Sequence, residues 1–197
     1  TTRYNYQTDV ANHASDWYFE NIKESDATSM PDDSAANRFI DQNRRTGTES
    51  LLTLPMAGYV SNGVEHACGF AVAKYGPQQE VEPYRGLCGN GAHTDGSRIT
   101  GSNPLDAAIG APPSFGAGWI NFLKAEYGAA GDGGVHFYNL DNEPDIWFET
   151  HRDIRPIGWK YQEFRDATIA YAAAAKAADP QVQLLGPVVN GWTYYWF

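Results

Sequence analysis

Four β-prone runs alternate with three helical ones along this chain. That alternation limits the fold most, because strands joined through helices lie parallel with right-handed crossovers. The first strand is a stub over residues 2–6, and a helix follows over about 34–45. Asp32, Asp33 and Ser34 are its cap candidates, Phe39 and Ile40 its apolar side, and Gly47 its stop. The next strand, 50 to about 60, reads SLLTLPMAGYV and is apolar on both faces, as a covered parallel strand should be. Ser114 caps a second helix with Phe115, Trp119, Phe122, Leu123 and Tyr127 on one stripe, closed by Gly128. The run VHFYNLDNEPDIW then carries a strand ending at Asn142-Glu143-Pro144, where proline forbids further ladder pairing. A third helix over about 158–178 buries Tyr161, Phe164, Tyr171 and Ala175 and stops at Asp179-Pro180. The last strand is VQLLGPVV, 182–189.

Residues 61–113 form a long irregular stretch rich in Gly, Pro, Asn and Asp, and loops of this length are uncommon without a job. Cys68 and Cys88 both sit in it. Two cysteines are too few for a disulfide scaffold; a single bridge pinning the loop fits a secreted protein, and two free thiols are the alternative.

A chain of 197 residues can bury a core and is one domain by default. Its net charge of −10 argues against nucleic acid and against anionic membrane surfaces. No stretch is long and apolar enough to span a bilayer, and no signal peptide is visible. Six Trp and twelve Tyr exceed what a modest core needs, and sugar binding is one use for the surplus. The chain enters at the tail of a strand and closes on the aromatic cluster TYYWF. A closed eight-stranded barrel usually takes about 250 residues. The expectation is therefore a segment of a larger barrel.

A carboxylate at the C-terminal end of a buried strand is where barrel enzymes keep catalytic groups. Glycoside hydrolysis needs two carboxyl groups flanking the scissile bond, and Glu143 reads as the general acid/base. In a regular strand Asp141, Glu143 and Asp145 share a face, and repulsion favours keeping one protonated; Pro144 restricts that argument to Asp141 and Glu143. Asn142 offers a neutral amide to a sugar hydroxyl, or is a turn residue. The bland alternative for Glu143 is a turn or helix-initiating carboxylate. The five histidines show no i,i+4 pairing or HExxH pattern, which argues against catalytic zinc. No nucleophile elbow, phosphate loop or dinucleotide fingerprint is present. The loop HTDGSRITGSNPLD (93–106) is oxygen-rich. Asp95, Asn103 and Asp106, joined by Glu20, are candidate calcium ligands, and a solvated turn is the alternative.

The segments RYNY, DWYFEN, KYGPQ, CGNG, FYNLDNEPDIW and THRDIRP occur in order across the chain. Together they make it resemble glycoside hydrolase family 44. The resemblance implies an α/β fold, a (β/α)8 TIM barrel with an added β-sandwich. Residues 1–197 would supply about strands 2 to 5 of that single catalytic domain. It further implies a secreted, retaining endo-β-1,4-glucanase or xyloglucanase with Glu143 as acid/base at the end of the fourth barrel strand. The nucleophilic glutamate belongs to a later strand, around the seventh, beyond Phe197. No cofactor is needed for the chemistry, and the family implies a structural calcium. Arg3, Asn5, Trp17, Tyr59, Trp147 and Trp192 would line the cleft beside Asn142, while Trp119 belongs to the core. The chain departs from the family pattern at Thr1-Thr2, where Gly-Asn is usual, at Tyr6, where Trp is usual, and at Arg155, where His is usual. The expected partners are a polysaccharide and the remainder of the barrel. The competing reading is a carbohydrate-binding segment, inactive until a partner completes it.

Overall fold

The computed structural model describes residues 3–192; Thr1-Thr2 and the tail TYYWF lie outside the described residues. Strands β1 (Tyr4–Asn5), β2 (Val10–Asn12) and β3 (Asn21–Lys23) form a small antiparallel sheet in that order. Helix α1 (Ala35–Thr46) leads to β4 (Leu51–Leu54). Strand β5 (Tyr59–Ser61) opens the long loop, which contains the short helix α2 (Val72–Tyr75), and β6 (Ala108–Gly110) closes it by pairing antiparallel with β5. Helix α3 (Pro113–Tyr127), β7 (Phe137–Leu140), the short α4 (Trp147–Thr150), α5 (Tyr161–Ala178) and β8 (Gln183–Leu185) complete the chain. The sheet that organises the molecule is β4-β7-β8, all parallel, with Leu54 opposite Leu140 and Tyr138 opposite Leu184. Helices α3 and α5 form its crossovers and pack on each other. Among the described residues no helix is long and apolar enough to cross a membrane.

The α/β reading holds for β4, β7 and β8, and two strand expectations are corrected. The stub at 2–6 joins an antiparallel sheet instead of extending the parallel one. The run 50–60 is broken after Leu54, because Pro55 has no N–H for the ladder, and its second half leaves to pair with β6. The helices follow their local chemistry. The Ser34 hydroxyl accepts the Asn37 N–H at 3.2 Å, and Gly47, at φ +70°, ends α1. Asp33 pairs with Arg38 instead of capping, and Phe39 is exposed while Ile40 is buried. Helix α3 begins at Pro113, after Pro112, so Ser114 lies inside the first turn and caps nothing. In α5 the packed face starts at Phe164, and Tyr161, in the first turn, is exposed.

The core gathers Leu52, Leu54, Met56, Tyr138 and Leu140 from the sheet against Trp119, Ile120, Leu123 and Tyr171 from the helices. Tyr6 stacks on Trp119 with centroids 5.9 Å apart and meets Phe115 edge-on at 5.2 Å. A second cluster, Phe19, Phe70 and Ile99, organises the long loop, with the Arg152 guanidinium 4.9 Å above Phe19 and 5.4 Å above Phe70. Beside it Cys68 and Cys88 are joined in a disulfide across 20 residues. Closing a loop of that length removes unfolded-state entropy worth about 3 kcal/mol. The double variant Cys68→Ala/Cys88→Ala should lose stability of that order. Urea unfolding with and without reductant measures it, and coincident transitions would show that the bridge contributes nothing.

Candidate active site

Strand β7 stops at Leu140 because the backbone turns left-handed twice in quick succession, at Asp141 (φ +59°) and Glu143 (φ +49°). For residues with a Cβ this conformation costs about 1–2 kcal/mol each, so surrounding contacts must impose it. They come from the ends of the two neighbouring strands. The buried Asp141 carboxylate accepts the N–H of Met56, just past β4, and of Asn142 at 2.9 Å. The Glu143 N–H donates to the Val188 carbonyl, just past β8, at 2.7 Å. Asn139 Nδ2 donates to the Asp141 carbonyl at 2.8 Å, and Trp147 Nε1 to the Asn142 carbonyl at 2.9 Å. Gly186 is required here, since a Cβ on it would sit 2.8 Å from Asn139 Oδ1. Pro144 starts a 3-10 turn that runs into α4 and carries the chain away from the sheet.

Glu143 is thereby presented, half-buried, to a cavity of about 320 Å3 whose other walls include Asn12, His13, Ala14, Asp16, Thr53, Asn142, Thr150 and His151. That volume lies at the lower end of the range for small-ligand sites. Asn190 sets the carboxylate's orientation: its Nδ2 donates to Glu143 Oε1 at 3.0 Å while its N–H donates to Asp145 Oδ1 at 3.0 Å. The expected shared face of Asp141 and Glu143 does not form. The pleat has ended, so Asp141 turns inward to Met56 while Glu143 opens on the cavity.

His151 is the other chemically telling wall. Burial, helped by the nearby Arg3 cation, pushes its imidazole down to about 3, and its Nδ1 shares a hydrogen bond with the Thr150 hydroxyl at 2.8 Å. It therefore faces the cavity as a neutral group. The folded form resists the proton that the unfolded chain accepts below about pH 6.5. Stability should thus be unaffected above that pH and fall by up to about 1.4 kcal/mol per pH unit as pH drops from 6.5 toward 3. The variant His151→Asn should flatten this slope in unfolding curves taken between pH 7 and 4.5. An unchanged slope would assign the acid sensitivity to other groups.

Of the residues read from sequence as cleft-lining, Asn142 meets Glu143 at the cavity. Three others are corrected by burial. Arg3 is fully buried, its Nη1 bonded to Asp153 at 2.7 Å and to Asn12 at 2.8 Å. Asn5 is buried with its Nδ2 on the Ser61 carbonyl, and Trp147 is fully buried against Trp159 and His151. None of the three is among the cavity's walls. Tyr59 packs partly buried against the core, Trp17 is half-buried beside the cavity-lining Asp16, and Trp192 is exposed at the end of the described residues. The walls His13, Asp16, Thr53, Thr150 and His151 were not singled out. Three of them had a signal: Asp16 by its place in DWYFEN, Thr150 and His151 by theirs in THRDIRP.

The calcium set does not fit a cation. Glu20 is buried and engaged by Arg85 at 2.6 Å, His66 at 2.8 Å and Trp17 at 3.0 Å. Asp106 is held by Lys74 at 2.6 Å and Tyr75 at 2.6 Å. Asn103 Oδ1 accepts the Leu105 N–H and Asp95 accepts from Ser97, each in a local turn. Two of the four carboxylate or amide groups already face cations, and among the described residues no group of three His, Cys, Asp or Glu side chains could hold a metal.

Comparison with known proteins gives the chain its relatives. The sequence profile of glycoside hydrolase family 44 matches residues 10–197. The crystal structure of CelM2, a bifunctional glucanase-xylanase from a metagenome library, superposes with a TM-score of 0.91 at 36% identity, over 98% of this chain and 37% of that one. A Paenibacillus polymyxa xyloglucanase of the same family, solved with xyloglucan, gives 0.69 at 26% identity over 98% and 37%. Endoglucanase A of Paenibacillus lautus is 28% identical over 98% of this chain and 27% of its own length. The chain thus spans roughly a third of the length of these relatives.

Proposed function

The chain belongs to glycoside hydrolase family 44, and from that premise we propose that it carries Glu143 as the general acid/base of a retaining endo-β-1,4-glucanase. The observation that carries the reading is a half-buried carboxylate at the end of a parallel strand, aimed into a cavity by Asn190 and faced by a neutral imidazole. In such a reaction Glu143 gives its proton to the glycosidic oxygen as the C–O bond breaks, while a second carboxylate bonds the anomeric carbon. Glu143 then takes a proton from the water that releases the sugar. We assign the second carboxylate to a glutamate on a later strand of the family's barrel, around the seventh. Asn142 is suited to hold a sugar hydroxyl without adding charge.

The substrate class we propose is β-1,4-glucan, including xyloglucan, in keeping with the names of the related enzymes. In the same reading β4, β7 and β8 are part of the run of strands, about 2 to 5, that this chain contributes to one (β/α)8 domain. Among the described residues β4 and β8 each pair on one side only, and Leu51 and Leu185 are exposed on them, which supports that placement. The remaining strands and the β-sandwich would lie outside these 197 residues. The disulfide supports secretion into an oxidising compartment.

The test is a chimera in which residues 3–192 replace the matching segment of CelM2. Hydrolysis of carboxymethylcellulose or xyloglucan is the expected result, and a folded chimera that binds but never cleaves would refute the acid/base assignment. The competing reading is a glucan-binding segment without activity of its own. It predicts no hydrolysis by the chain alone and recovery when the complementary segment is added in trans.

A further inference from the structure

Next to the cavity lies an aromatic pair with no role in the chemistry above. Trp17 ends the 3-10 turn Ala14–Trp17, whose Ala14 and Asp16 are cavity walls. Its Nε1 is fixed on the buried carboxylate of Glu20. Tyr84 arrives from the long loop, its ring centroid 6.0 Å from that of Trp17 with the planes 32° apart, and it remains 77% exposed. A single exposed aromatic is ordinary; the support beneath this one is not. Glu82 is fully buried, and its carboxylate accepts the N–H groups of Tyr84 at 2.8 Å, Arg85 at 3.0 Å and Leu87 at 3.1 Å. Burial pushes the Glu82 carboxyl upward, yet these three donors together hold it below its ordinary value. The Arg85 guanidinium then reaches Glu20 at 2.6 Å, the same carboxylate that fixes Trp17. Cys88, in the disulfide, anchors the loop's exit. Both rings therefore hang from one charge-compensated network, and the segment 82–88 is tied at both ends.

The geometry points to Tyr84 as a further substrate-binding residue: with Trp17 it forms a stacking platform for a sugar ring of the glucan chain, outside the cavity where Glu143 acts. This rests on the glucan reading above. A rigid, solvent-bare ring binds with little loss of side-chain freedom, since its backbone is already ordered and it has two side-chain torsions. The hydrophobic C–H face of a neutral pyranose matches the ring face. An anionic sugar polymer is disfavoured, because Arg85 is already spent on Glu20 and Glu82 and the chain carries a net charge of −10.

Isothermal titration of the 197-residue chain with cellohexaose tests this. Tyr84→Ala should bind about five- to tenfold more weakly, the scale of one aromatic contact. Tyr84→Phe and Tyr84→Trp should keep wild-type affinity, because the ring face and not the hydroxyl does the binding. Thermal unfolding of all three should match wild type, since the side chain is exposed. Equal affinity in Tyr84→Ala, or a loss in Tyr84→Phe as large as in Tyr84→Ala, overturns the platform and leaves the glucan reading standing. A wild-type chain that binds no cellohexaose overturns both.

Discussion

Glu143→Gln in the CelM2 chimera should slow cleavage of unactivated xyloglucan by about 10²–10⁴-fold, the share that general acid–base help contributes. The amide has nearly the same shape, and its oxygen can still accept from Asn190 Nδ2, so the local backbone should be preserved. What it cannot do is deliver a proton to a departing sugar hydroxyl. An aryl glucoside whose phenol leaves readily needs no such delivery. Its first step should stay close to the wild-type rate, with the glycosyl-enzyme accumulating because water now lacks a base. A burst of phenol followed by a slow steady rate is the signature, read by stopped-flow absorbance. Parallel losses on both substrates would instead make Glu143 a structural or binding residue, and wild-type turnover would remove it from the chemistry.

Asp153→Ala should cost about 3–5 kcal/mol, the penalty for stranding a buried charge. Arg3 and Asp153 are both buried, 2.7 Å apart, and join positions 150 residues apart in sequence. Arg3 also holds Asn12, whose side chain accepts the Ala14 N–H and forms part of the cavity wall. Asp153 also packs on the long loop so closely that a Cβ on Gly69 would lie 2.5 Å from its Oδ2. Typical domains have only about 5–15 kcal/mol of total stability, so the single variant should populate unfolded chain. Removing both charges together, as Arg3→Met/Asp153→Leu, should recover much of the loss, because no uncompensated ion remains. Chemical denaturation of wild type, Arg3→Met, Asp153→Leu and the double variant gives the cycle. A single variant as stable as wild type would show that the pair is a passive contact.

The parallel layer was legible because its signals are long. Helical periodicity over Phe115 to Tyr127, the Ser34 cap and the Gly47 stop act locally and survive any packing. The place of Glu143 past the end of β7, beside a cavity, was legible for the same reason, as a carboxylate between an apolar run and a proline. The antiparallel sheet was not. Its strands have two or three residues, and its turns place Asp9, Ala14, Tyr18 and Phe19 at positive φ, where the sequence carries none of the glycines that usually announce such turns. Trp147 shows a second limit. An aromatic surplus suggests sugar contact, but this indole is needed to hold the Asn142 carbonyl, a demand visible only once the chain has turned. Arg3 and Asn5 are similar, since a buried polar side chain is recognised by its partners, which lie far away in sequence. The partners of the oxygen-rich loop and of Glu20 were not legible either: Asp106, Glu20 and Asn103 are matched by Lys74, Arg85 and a backbone N–H group, which no spacing in the sequence announces.

The left-handed backbone at Glu143 has an evolutionary corollary. Glycine fits that conformation without a steric penalty, so mutation and selection for robustness alone would drift the position toward it. On the acid/base role proposed for Glu143, continued use of the carboxylate is what opposes that drift. In a lineage released from its substrate, this site should therefore be among the first to decay, and the decay would leave a sturdier molecule behind.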